Sequence, residues 1–97
     1  MIDEVTLSRA AECLRIIAHP HRLRLIELLL QGEHSVGELA EICELAPAVT
    51  SEHLRLMQRM GLLNSQRDGK YIFYYVTEPH LEKIMDCVRC QFGSVKQ

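Results

Sequence analysis

Three observations predict a mainly α chain with one small β-hairpin. Four segments with helical apolar spacing occupy the chain up to Gly61. Two strand-like runs then flank Asp68-Gly69, and helical spacing returns from Pro79 onward. The resulting order, α-α-α-α-β-β-α, with two short helices joined by about three residues ahead of a hairpin, is that of a winged helix-turn-helix.

The first helix is expected over about residues 5–18, where Leu7, Ala10, Ala11, Leu14, Ile17 and Ala18 recur on one side. Pro20 interrupts it, pushing His19 out of the helical region. The same proline opens a second helix, "PHRLRLIELLLQ", with Leu23, Ile26, Leu29 and Leu30 as its stripe and Gly32 as its stop. Ser35 and Glu38 form an S-x-x-E capping box for a third helix, "VGELAEIC". Glu44 to Ala46 make a tight connection. Pro47 then starts a fourth helix, which ends at Gly61. "LLNSQR" and "KYIFYYV" read as strands, with Asp68-Gly69 as the turn because both positions accept positive φ. Leu81, Ile84, Met85, Val88 and Phe92 carry the last helix, expected over 79–94. The tyrosines and phenylalanine of the second strand are read as core packing.

At 97 residues the chain is read as one domain, 1–97, able to bury about 60–65% of its unfolded surface. A hydrophobic content of 47% is generous for so small a core and hints at apolar surface left for a partner. The net charge of −2 removes any argument for nucleic-acid binding from bulk charge, so such binding must rest on local charge. No apolar run is long enough to cross a membrane, and the acidic start "MIDEVTLSRA" is not an export signal. A cytoplasmic location follows as the expectation, with the four cysteines as free thiols.

In "APAVTSEHLRLMQRMGLL" the apolar Leu54, Met57 and Met60 would pin the fourth helix to the core. Pro47, Ala48, Thr50, Ser51, His53 and Arg55 would then face a DNA groove. Small side chains allow close approach there, hydroxyls and imidazole bond phosphates or base edges, and the helix N-terminus favours a phosphate. From Arg55 to Lys70 the charged residues are Arg55, Arg59, Arg67 and Lys70 against the single Asp68. Arg67 and Lys70 flank the hairpin turn, where a wing would meet the DNA backbone. Glu52 fits this reading poorly unless it accepts from a cytosine amino group or points away.

Taken together, "LRIIAHPHRLRLIELLLQGEHSVGELAE", "TSEHLRLMQRMGLL" and "SQRDGKYIFYYV" resemble the ArsR/SmtB family of small bacterial winged-helix repressors, over about residues 10 to 92. The resemblance implies a homodimer built by the first and last helices. It also implies an inverted-repeat operator in double-stranded DNA, and release when an inducer binds.

The metal sites usual in that family match poorly. Ser35 stands where a cysteine of one site is expected. Glu78 and His80 match the first half of a second site, but Gln91 and Ser94 replace its other ligands. The positions of a persulfide-sensing cysteine pair fall on Glu27 and Gly93. What remains is Cys87 and Cys90 on the last helix, with Cys13 on the first and His80 seven residues before Cys87. Thiolates there would suit a soft ion, As(III), Cd(II) or Zn(II), as inducer, or would be oxidised by reactive sulfur or oxygen species. No cofactor is required. Cys43 and Cys13 also fit as small hydrophobic filler, and His19 and His21 as structural residues near a helix start.

The sequence therefore predicts a DNA-binding repressor released by an inducer, with a thiol-linked inducer expected. The alternative is a winged-helix module without sensing, either constitutively DNA-bound or serving only protein interactions. A thiol-redox enzyme built on Cys87 and Cys90 lacks the βαβ context such enzymes use.

Overall fold

The computed structural model describes residues 1–93. Its elements are α1 (Glu4–Ile17), α2 (Pro20–Gln31), α3 (Val36–Cys43), α4 (Pro47–Arg59), β1 (Leu63–Asp68), β2 (Tyr71–Val76) and α5 (Leu81–Phe92), in the predicted order. The expected last helix over 79–94 starts two residues late, at Leu81, and Ser94 lies outside the described residues.

The helix starts follow local chemistry. Asp3 caps α1 by accepting from the Thr6 amide at 2.9 Å. The His19 ring caps α2 by accepting from the His21 amide at 3.1 Å, ahead of Pro20 in the first turn. The Ser35–Glu38 capping box forms in both directions. Glu44 closes α3 at φ 57°, and Gly61 turns the chain out of α4 at φ 80°.

The core is built by Leu25, Ile26 and Leu29 of α2, Leu39 of α3, Leu54 and Met57 of α4, Leu62, Leu63 and Tyr74 of the wing, and Leu81 and Met85 of α5. Of the 14 residues of α1, Ile17 alone is fully buried. α1 thus leaves Val5, Leu7 and Leu14 in the open, and α5 leaves Phe92.

The hairpin corrects the expected turn. Asp68 pairs with Tyr71, so it ends β1, and the two-residue loop is Gly69-Lys70. Gly69 has φ 64° while Lys70 does not have positive φ, the pattern of a turn with glycine at its first central position. Register places Ile72, Tyr74 and Val76 inward. Tyr71 and Phe73 lie on the other face with ring centroids 6.5 Å apart, so only part of the aromatic strand packs on the core.

Candidate DNA interface

Residues α3 and α4 form the helix-turn-helix pair, and α4 continues through Gly61 into the wing. Gln58 Nε2 ties the end of α4 to the root of β1 by donating to Asn64 Oδ1 at 3.1 Å and Ser65 Oγ at 3.4 Å. Leu54 and Met57 are fully buried and Met60 partly, so the apolar face of α4 is held as the spacing predicts. A helix and a hairpin fixed to one core in this way present their polar sides as one rigid unit.

No side chain caps the N-terminus of α4. Its flanking residue is Ala46, Pro47 has no N–H, and the amides of Ala48 and Val49 take no protein acceptor among the described residues. Pro47, Ala48 and Val49 are all exposed, so this end of the helix offers open donors and a positive dipole to an anion. Ser51 is half-buried beside it, and Arg55 and Glu52 are exposed.

Thr50 is not part of that surface. Its side chain is fully buried and its hydroxyl donates to the Ala46 carbonyl at 3.1 Å. The expectation that Thr50 meets DNA is therefore corrected: about one helical turn before Leu54 and about two before Met57, position 50 belongs to the inward side of α4.

His53 is half-buried and held from behind. Arg22 Nε donates to His53 Nδ1 at 3.0 Å, and the rings of His19 and His21 lie 4.8 Å and 6.0 Å from it. Burial, helped by the positive charge of Arg22 and by His19 and His21, lowers the His53 pKa below its ordinary 6.5 despite the opposing Glu52. Arg22 was not singled out from the sequence. Its partner is 31 positions away, and no local pattern marks a contact that only the packing of α2 on α4 creates.

The wing carries Arg67 near the end of β1 and Lys70 in the turn, both exposed. Lys70 Nζ sits 5.7 Å from the centre of the Tyr71 ring, so its charge stays at the hairpin tip.

The thiols do not gather in one protomer. Cys87 and Cys90 are exposed on α5, whereas Cys13 is half-buried on α1. Cys13 shares an open hollow with Glu78 and His80, not with the α5 cysteines. His80 precedes α5 as its flanking residue, and its Nδ1 lies 2.7 Å from Glu78 Oε2. The expected grouping of His80 with Cys87 is corrected to this extent: the imidazole turns to Glu78, about 10 Å along the axis from Cys87. Burial and the Glu78 charge raise the Cys13 pKa, and burial raises that of Cys43, which keeps both as thiols. Arg89 is engaged with Asp86 at 2.8 Å. Among the described residues, no three His, Cys, Asp or Glu side chains come together as a metal site. No described helix is long and apolar enough to cross a membrane.

A helix pair held on the core by its apolar face, an uncapped exposed helix end and a hairpin with Arg67 and Lys70 exposed near its tip define a winged helix-turn-helix protein of the nucleic-acid-binding class. Comparison with known proteins narrows the class. Residues 19–65 match the family described as bacterial regulatory protein, arsR family. The chain is 30% identical over 94 residues to the transcriptional activator HlyU of Vibrio cholerae, covering 97% of this chain and 87% of that one. It is 31% identical over 80 residues to a probable mercury resistance operon repressor of Streptomyces lividans, covering 82% and 64%. The solved transcriptional repressor BigR of Xylella fastidiosa superposes with a TM-score of 0.79 at 32% identity, covering 95% and 97%. The chain belongs to the arsR family of bacterial regulatory proteins, and is a DNA-binding regulator of transcription rather than an enzyme.

Proposed function

We infer that this protein is a homodimeric repressor that binds an inverted-repeat operator and leaves it when an inducer acts on its thiols. The observation that carries the DNA surface is the open N-terminus of α4, on a helix whose far end is tied to the root of the wing that carries Arg67 and Lys70. Pro47 and Ala48 let the helix approach. The Ala48 and Val49 amides take a phosphate, Ser51 and His53 donate or accept at base edges or phosphates, and Arg55, Arg67 and Lys70 bind the backbone.

The dimer reading rests on α1 and α5. A helix that buries one residue of 14 and leaves Val5, Leu7 and Leu14 open gains by packing against a second copy, with α5 and Phe92 beside it. The whole chain then serves as one DNA-binding domain with its terminal helices as dimerisation elements. In such a dimer the two recognition helices must reach major grooves about 34 Å apart, and an inducer that changes this spacing weakens binding.

For the inducer, Cys87 and Cys90 are the accessible thiols, with Cys13 and His80 available only if the partner protomer brings them near. A soft metal ion, As(III), Cd(II) or Zn(II), would need ligands from both protomers. Reactive sulfur needs one helix only. Side chains three apart on a helix have Cβ atoms about 5–6 Å apart, wider than the 3.5–4.5 Å of an ordinary disulfide, so a longer polysulfide link fits the span with less distortion.

The deciding experiment is charge reversal at Arg55, Arg67 and Lys70 in one chain. DNA binding should be abolished, with the helical circular dichroism and melting curve retained. DNA affinity that survives all three changes would refute the interface.

A further inference from the structure

Arg22 leaves α2 with its guanidinium between two other helices. Nη1 donates to the Ile16 carbonyl at 2.9 Å, in the last turn of α1, while Nε donates to His53 Nδ1 at 3.0 Å on α4. Ile16 lies in the last turn of α1 and, with Pro20 four residues on, its carbonyl has no helical donor, so one arm of Arg22 closes a helix end. The other arm has a chemical consequence. A guanidinium nitrogen is always a donor and never an acceptor. The ring nitrogen facing it must then carry a lone pair, which places the proton of a neutral imidazole on the opposite nitrogen, Nε2.

Nε2 has no hydrogen-bond partner among the described residues, and no fully buried side-chain nitrogen or oxygen there lacks one, so Nε2 keeps some contact with solvent. The groups facing the ring are Arg22 and His21 of α2, His19 of the turn before it, and Glu52 of α4 itself. Three of these four are cations or become cations on protonation, which disfavours a second proton on His53.

We propose that Arg22 is a positioning residue that locks His53 as an outward Nε2–H donor on the recognition helix, aimed at an acceptor on DNA. The proposal rests on the DNA surface inferred above. Phosphate oxygens, the N7 and O6 of guanine, the N7 of adenine and the O4 of thymine are the acceptors such a donor recognises. Without the lock, the ring would exchange freely between tautomers and offer the same acceptor a lone pair for part of the time. Because the same guanidinium holds the end of α1, the donor on α4 is also registered against a helix expected to pack on the partner protomer.

Nitrogen NMR of the histidine side chains in the full-length wild-type protein reads the tautomer directly. His53 should carry its proton on Nε2 at neutral pH, and a proton on Nδ1 would overturn the proposal without any mutation. Two duplexes then serve as probes: one selected by the wild-type protein from a randomised pool, and one of alternating A and T. Arg22→Met should mix the His53 tautomers and weaken the selected duplex about tenfold. In a His53→Gln background, whose amide donates without a tautomer, Arg22→Met should cost less than about twofold. Loss of selected binding with an unchanged tautomer, or the same tenfold loss in the His53→Gln background, would overturn it. If charge reversal at Arg55, Arg67 and Lys70 leaves both duplexes bound, the DNA surface itself fails. If that reversal abolishes binding while Arg22→Met leaves the selected duplex untouched, this proposal alone fails.

Discussion

The Thr50 hydroxyl donates to the Ala46 carbonyl one turn back, and the whole side chain is sealed between α4 and the core. That carbonyl already accepts the Thr50 amide at 3.0 Å, so the hydroxyl adds a second bond rather than the only one. Thr50→Val, similar in shape, should cost no more than about 1 kcal/mol by denaturant melting. It should leave DNA affinity unchanged by anisotropy titration. A large loss of DNA binding in a folded variant would return Thr50 to the interface.

Leu54 and Met57 carry the opposite expectation. Both are fully buried and join α4 to α2, α3 and the wing. Truncating either to alanine should lower the unfolding free energy by about 2–5 kcal/mol. A melting curve close to wild type would mean that α4 is not held by this face.

His53 makes stability depend on pH. Its folded pKa lies below 6.5, so on acidification the unfolded chain takes up its proton first. Stability then rises with pH across this window: it is full well above 6.5, falls as pH drops through 6.5, and levels off below the folded value. Urea midpoints measured from about pH 7.5 down to pH 5 should show that slope. His53→Gln should flatten part of it, and an unchanged slope would place the titration on other groups.

Thiol reactivity should divide the cysteines by position. Cys87 and Cys90 are exposed, while burial raises the pKa of Cys13 and Cys43. Timed alkylation followed by peptide mass spectrometry should label the α5 pair first. Faster labelling of Cys13 would shift the sensing role to α1.

Leu7 and Leu14 lie open on α1. Leu7→Glu with Leu14→Glu should convert a dimer to a monomer in sedimentation velocity, because burying two charges in an apolar seam is costly. The monomer should keep its fold, since neither side chain belongs to the core. A variant that still sediments as a dimer would place the seam elsewhere.

What the sequence determined by itself was local. Apolar spacing, Pro20 and Pro47 in first turns, and the Ser35–Glu38 box specify each helix through interactions within a few residues, and α2 and α3 lie where those signals put them. The hairpin was legible too, but its turn was not, because Asp68-Gly69 and Gly69-Lys70 both satisfy a glycine rule and only strand register chooses between them. The candidate site divides along the same line. Exposed Pro47, Ala48, Arg55, Arg67 and Lys70 were readable as a polar, basic surface. Tertiary packing decided the rest: it turned Thr50 inward and brought Arg22 to His53. Helical spacing ranks the faces of one element. Which face a neighbour covers, and which side chain arrives from 31 positions away, depends on how α1, α2 and α4 pack together.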